Sequence, residues 1–175
     1  LEFLKMAEII FKKRKLIKIL VNSFFFLYIF YFLTVFFFLS FSLHLKILIF
    51  VILLTCVASD IGGFVFGKTF KGPKLTRVSP KKTIAGAIGS LIFSAVFILL
   101  IIYYFSKNFQ LSIIFIGVLT SISCQIGDLL ISYLKRKSSL KDTGNFLPGH
   151  GGVLDRIDGM LLGIPLGFLT LLIVY

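Results

Sequence analysis

The stretch IAGAIGSLIFSAVFILLIIYYFS, residues 84–106, carries no charged side chain from end to end. About 20 apolar residues in a helix cross the hydrocarbon core of a bilayer, so this segment predicts a transmembrane helix over Ile84–Ser106. The same reading extends outward in both directions. Residues 19–43, 108–127 and 159–175 are likewise uncharged, and 47–66 is apolar except for Asp60. Five spans follow, and the second could be broken near Gly62 and Gly63. The expected fold class is therefore all-α: a polytopic integral membrane protein of about five transmembrane helices, with two loops on one side forming the site. Residues 1–18 are expected to be a basic flank, and 19–175 a single transmembrane domain.

Composition agrees with this. Of 175 residues 58% are hydrophobic and only 15% charged, and the mean hydropathy is +1.04. That much apolar surface does not fit inside a soluble core of this size. The net charge of +12 is distributed unevenly. Of the 19 Lys and Arg residues, all but Lys46 and Lys107 fall before the first predicted span, between the second and third, or between the fourth and fifth. Positive residues mark the cytoplasmic side, so the N-terminal flank and both long loops are expected in the cytoplasm. Charge placed this way argues against a nucleic-acid partner, which calls for a basic face on a soluble fold. Residues 9–21 could lie on the membrane surface as a basic helix; a plain topogenic flank is the preferred reading. Cys56 and Cys124 sit in apolar runs without metal-like spacing and read as small buried hydrophobes. The sequence opens on Leu1 and shows no small-residue cleavage site, so no signal peptide is read; a fragment or a lost initiator both stay open.

Five of the seven acidic residues, Asp60, Asp128, Asp142, Asp155 and Asp158, fall in or beside the two basic loops. Carboxylates near a span are costly and point to function. Ser132 and Lys135 follow Asp128 at i+4 and i+7 and share its helix face. Asp155 and Asp158 share a face at i, i+3, and a place at a helix start would suit them structurally as well. Between these helices, residues 141–152 (KDTGNFLPGHGG) are rich in glycine, and exposed N–H groups in such a loop can cradle phosphate. Hard oxygen donors, cations and a glycine loop at a lipid surface fit phosphoryl or nucleotidyl transfer. Nothing resembles a Ser-His-Asp triad or a zinc cluster.

The run Ser132-Tyr133-Leu134-Lys135-Arg136, then Lys141-Asp142-Thr143-Gly144, then Leu147 to Gly152, then Leu154-Asp155-Arg156-Ile157-Asp158, resembles the signature of the phosphatidate cytidylyltransferases (CDP-diacylglycerol synthases). Gln125-Ile126-Gly127-Asp128-Leu129 is similar to the family's Gly-Asp-Leu segment, and Ser79-Pro80-Lys81-Lys82-Thr83 to its Ser-Pro-Lys-Lys-Thr element. Asp60-Ile61-Gly62-Gly63 with Phe66-Gly67-Lys68 matches a third region more loosely. The resemblance runs from about Thr55 to the end. Ala85 stands where the family often has Glu, and members are usually longer, with more N-terminal spans.

The resemblance implies a reaction: CTP and phosphatidate give CDP-diacylglycerol and pyrophosphate, in phospholipid biosynthesis. It implies Asp128, Asp155, Lys135 and Arg156 as catalytic residues. Asp128, Asp155 and Asp158 would be ligands of Mg2+, with a second cation conceivable. Ser79, Lys81, Lys82, Thr83, Ser132, Arg136, Lys141, His150, Gly151 and Gly152 would contact substrate; for Lys81 and Lys82 the less favoured alternative is that they only set the topology. It further implies CTP, phosphatidate and the bilayer as partners, a homodimer, and a bacterial inner membrane with the site facing the cytoplasm. The alternatives are a CTP-dependent lipid-alcohol kinase of the dolichol or phytol type, and a non-catalytic membrane fragment or transporter.

Overall fold

The computed structural model describes residues 1–107, 110–144 and 151–174. Six helices follow in order: α1 Glu2–Ile10, α2 Lys15–Leu39, α3 Leu43–Phe70, α4 Ile84–Ser106, α5 Ser112–Lys137 and α6 Leu154–Val174. The last five are long and apolar enough to cross a membrane. The protein is thus an all-α polytopic membrane protein, and an antiparallel bridge joins Lys74 to Thr83.

Packing follows small residues. Association in lipid depends on close backbone approach and interhelical hydrogen bonds rather than on a hydrophobic drive. Along the α3–α4 crossing, Gly62, Gly63 and Gly67 face Gly86, Gly89 and Ser90; a Cβ at Gly63 would meet Ser90 Oγ at 2.6 Å, and one at Gly86 the Gly63 carbonyl at 2.8 Å. The optional break at Gly62–Gly63 is absent: α3 runs unbroken to Phe70. The physical reason is that these glycines admit a neighbouring helix. Gly127 and Gly159 do the same for α5 and α6. Hydroxyls then join the helices. Ser59 and Ser121 bond at 2.7 Å between α3 and α5, and Ser94 Oγ donates to the Gly117 carbonyl at 3.2 Å between α4 and α5. Each such bond contributes roughly 0.6 kcal/mol. Ile52, Ile98, Ile113 and Ile116 fill the centre.

Two of the expected spans are longer than the apolar runs suggest. At 28 residues α3 extends about 42 Å, and α5 at 26 residues about 39 Å, more than the ~30 Å hydrocarbon core. The polar continuations Gly67–Phe70 and Asp128–Lys137 stay helical. Asp60 and Asp128 therefore lie about two and a half to three turns inside their helices, not at the ends.

The N-terminal flank contains a helix of its own. Residues 2–10 form α1, whose apolar residues recur at helical spacing. Met6 and Ala7 are buried, and Met6 packs with Ile131, Leu154 and Leu161 in a second apolar cluster at the basic end of the bundle. Phe3 stacks on Phe25 of α2 with ring centroids 3.8 Å apart. The surface-helix boundary suggested for 9–21 does not hold, since the chain turns between Ile10 and Lys15.

In α6, Pro165 has no N–H to offer the carbonyl four residues back. That carbonyl, Leu161 O, instead accepts the Tyr28 hydroxyl of α2. This bond anchors α2, none of whose described side chains is fully buried.

Candidate active site

The connection from α3 to α4 reverses sharply. Lys71 and Gly72 both have positive φ, 52° and 101°. The returning chain is pinned by Leu75 N–H to the Lys82 carbonyl at 2.8 Å and Ile84 N–H to the Pro73 carbonyl at 3.1 Å. Thr83 caps α4, its hydroxyl accepting the Gly86 N–H at 3.1 Å. This short fold sets Lys81 and Lys82 over a cavity of about 480 Å3 lined by Asp60, Lys68, Lys81, Lys82, Thr83, Gln125 and Asp128, among others. The first turn of α4 forms part of its wall, and a helix N-terminus favours anions.

Asp128, from α5, lines this cavity. One carboxylate oxygen pairs with the Lys82 ammonium, and the other accepts the Ser132 hydroxyl at 3.2 Å. Both members of the ion pair remain about 30% exposed to the cavity. Gln125, one turn earlier, donates to the Ala87 carbonyl at 3.2 Å, which fixes α5 against α4.

The second half of the site lies farther along α5. Lys135 Nζ donates to Asp155 Oδ1 at 2.7 Å. Asp155 Oδ2 accepts the Thr143 N–H at 2.8 Å and the Gly152 N–H at 3.1 Å, and Thr143 Oγ1 lies 3.0 Å away. Asp155 thereby closes the N-terminus of α6 on the preceding loop, as a capping carboxylate does. The two halves meet. Arg136 Nε reaches the Val78 carbonyl of the first loop at 3.5 Å, and Asp158 lies within the electrostatic reach of Asp128, Lys135 and Lys82. Asp60 likewise feels Asp128 and Lys82.

The sequence-predicted residues are placed as follows. Lys81, Lys82, Thr83 and Asp128 line the cavity, and Ser132 supports Asp128. Ser79 shapes the loop, its carbonyl accepting the Lys82 N–H at 3.1 Å, and is not among the lining residues. Lys135 and Asp155 form a pair of their own. Lys141 and Arg156 are exposed. Gly151 has the positive φ of 83° that its place in the loop demands. Gly152 is buried, and its N–H is directed to Asp155. His150 lies outside the described residues. The sequence reading passed over Glu2, Thr143, Lys68 and Gln125 as site residues. Lys68 and Gln125 stand inside quoted motifs, but Glu2 had no such signal.

Glu2 Oε1 accepts the Val153 N–H at 2.9 Å; Oε2 accepts the Leu154 N–H at 2.8 Å and the Thr143 hydroxyl at 2.9 Å. Burial works against its ionisation, but the Leu154 and Val153 N–H groups and the Thr143 hydroxyl outweigh it and hold the carboxyl below the usual glutamate range.

Among the described residues, no three His, Cys, Asp or Glu side chains converge as a metal cage. Magnesium in nucleotide sites characteristically uses one or two carboxylates and takes its other ligands from phosphate and water. The donors present, Asp128 with Asp158 nearby, fit that mode. Asp155 is already engaged, although among the described residues Oδ1 accepts Lys135 alone and a carboxylate offers about four lone-pair sites in all.

The sequence model of the cytidylyltransferase family matches residues 3–174. The chain belongs to this family. It is 41% identical over 128 residues to the phosphatidate cytidylyltransferase of Rickettsia typhi (strain ATCC VR-144 / Wilmington), covering 67% of this chain and 56% of that protein. It is 43% identical over 113 residues to that of Helicobacter pylori (strain J99 / ATCC 700824), covering 64% and 42%. The corresponding Staphylococcus haemolyticus (strain JCSC1435) protein is 39% identical over 110 residues, covering 62% and 42%. The chain spans about half the length of these curated relatives. Both loops of this cytidylyltransferase-family chain fall within the family match, as does all of α1 except Glu2.

Proposed function

We propose that the chain is a phosphatidate cytidylyltransferase, joining CTP to phosphatidate to give CDP-diacylglycerol and pyrophosphate. The observation that carries this reading is the charged cavity between α3, α4 and α5. In it Lys68, Lys81 and Lys82 stand beside Asp60 and Asp128, and α5 links that cavity to the Lys135–Asp155 pair. Family membership and the names of the relatives point the same way.

In the reaction, an oxygen of the lipid phosphate forms a bond to the α-phosphorus of CTP. The bond from that phosphorus to the bridging oxygen breaks, and its electron pair leaves with pyrophosphate. There is little covalent work for the protein, so rate comes from placement and charge neutralisation. Lys68, Lys81 and Lys82, with the first turn of α4, would take the triphosphate. Asp128 holds Lys82 at its post. Lys135, Arg136, Lys141 and Arg156 would neutralise the remaining phosphate charge. Asp128, Asp155 and Asp158 would hold Mg2+, which when bound supplies charge for the developing pyrophosphate.

The apolar helices keep the lipid substrate beside the cavity, and the basic loops favour the cytoplasmic side of a bacterial inner membrane. A homodimer is part of the proposal, to be read by crosslinking in detergent. The test of activity is direct. Purified chain with phosphatidate, magnesium and labelled CTP should form labelled CDP-diacylglycerol, and an Asp155→Asn variant should not. Folded protein that yields no lipid-linked label across magnesium and lipid concentrations contradicts the proposal.

A further inference from the structure

Glu2 lies outside the five spans and both loops, yet its carboxylate engages the residues around Asp155. The loop is shaped to receive it: a Cβ at Gly144 would meet Glu2 Oε1 at 2.9 Å, and one at Gly152 would meet Oε2 at 2.6 Å. The anion in this glycine cradle is the protein's own. Glu2 and Asp155 share out the donors at the start of α6. Gly152 N–H goes to Asp155, whereas Val153 and Leu154 N–H go to Glu2. Between them lies the buried Thr143 hydroxyl, 2.9 Å from Glu2 Oε2 and 3.0 Å from Asp155 Oδ2. A hydroxyl has one proton, so Thr143 serves one carboxylate at a time. Without Glu2, two N–H groups lose their acceptor and Thr143 turns to Asp155, the acceptor that must also hold Lys135.

We propose that Glu2 is a positioning residue for the nucleotidyl transfer, holding the Thr143 loop and the first turn of α6 so that Asp155 keeps its alignment with Lys135. This rests on the activity proposed above. The tether is durable because α1 is itself anchored, by buried Met6 and Ala7, by Phe3 stacked on Phe25, and by Lys137 lying 5.7 Å over the Phe11 ring.

The test compares wild type with Glu2→Gln, Glu2→Asp and Glu2→Ala in detergent. Hydrogen exchange is followed at the amides of Val153 and Leu154 and across α4, alongside kcat and KM for CTP. Glu2→Gln keeps the size but turns an amide donor toward donors. It should speed exchange at Val153 and Leu154, leave α4 unchanged, and lower kcat by roughly ten- to a hundredfold. KM for CTP should stay within about twofold. Glu2→Asp should recover part of kcat, and Glu2→Ala none. Unchanged exchange at Val153 and Leu154 overturns the tether. Exchange that rises equally in α4, or a kcat unchanged or raised in Glu2→Gln, overturns the positioning role. A wild-type chain without transferase activity overturns the reading beneath it, and the exchange data distinguish that failure from failure of the tether.

Discussion

Replacing Lys135 by Met should destabilise the protein far more than replacing Lys18, although each lysine makes one ion pair. Lys18 lies 3.6 Å from Glu8, with the side chains 32% and 71% exposed. Lys135 lies 2.7 Å from Asp155, with 17% and 11% exposed. Exposed pairs contribute about 0.2–1 kcal/mol, and at this distance and exposure the Lys18 pair belongs at the bottom of that range. Truncating one partner of a buried pair costs about 3–5 kcal/mol. Asp155 is only partly stripped by the change, because the Thr143 and Gly152 N–H groups remain on Oδ2. A loss nearer that of one hydrogen bond to a charged group follows, about 2 kcal/mol. Asp155→Asn turns an amide toward the Lys135 ammonium, so the double variant should be more stable than the sum of the single changes by about 1.5 kcal/mol. Unfolding of wild type, Lys135→Met, Asp155→Asn and the double variant in detergent measures this coupling. The parallel cycle at Lys18 and Glu8 is the control. Equal coupling in the two cycles would refute the reasoning that burial and the surrounding donors, not charge alone, give the Lys135 pair its strength.

Tyr28→Phe should lower the thermal midpoint, since it leaves the Leu161 carbonyl without a donor at a cost of about 1–2 kcal/mol; adding Pro165→Ala, which restores an N–H to that carbonyl, should recover part of the loss. Gly163→Val should cost about 2–3 kcal/mol, because a Cβ there runs into both thiols, Cys124 and Cys56, at the junction of α3, α5 and α6. Thermal unfolding reads both variants. The pH dependence has a definite sign. The folded-state carboxyl of Glu2 is held below its unfolded value, so its stabilisation is fully present above the ordinary glutamate range. It is lost as pH falls through the depressed value. An acid titration of loop exchange should therefore show a step below the ordinary range that Glu2→Gln abolishes.

The spans were legible because lipid imposes a coarse rule, a long uncharged run, and Ile84–Ser106 is matched residue for residue by α4. Helix ends were not. Nothing in the hydropathy of Asp128–Lys137 says that a polar segment continues a helix; only its i, i+4, i+7 face does, and that face was read correctly as one surface bearing Asp128, Ser132 and Lys135. Gly62 and Gly63 misled because a glycine pair has two physical uses, bending a helix and admitting a neighbour. Only the partner surface of Gly86, Gly89 and Ser90 decides between them. Within the site, the charged residues of the closely matching motifs were found, and Lys68, in the loosely matching one, was not. Nor were those acting through the backbone: Thr143 offers a hydroxyl and an N–H to Asp155, and Glu2 reaches the loop across more than 140 positions of chain. No local pattern encodes a contact of that range.

The most direct measurement follows the phosphorus. The purified chain is given phosphatidate, magnesium and CTP labelled at either the α or the γ position, with Asp128→Asn as the control that leaves Lys82 without its carboxylate. The α label is expected in the lipid and the γ label in pyrophosphate, one for one, with both lost in the variant. The γ label in the lipid, with CDP as the other product, would mean a lipid kinase and contradict the proposed transfer.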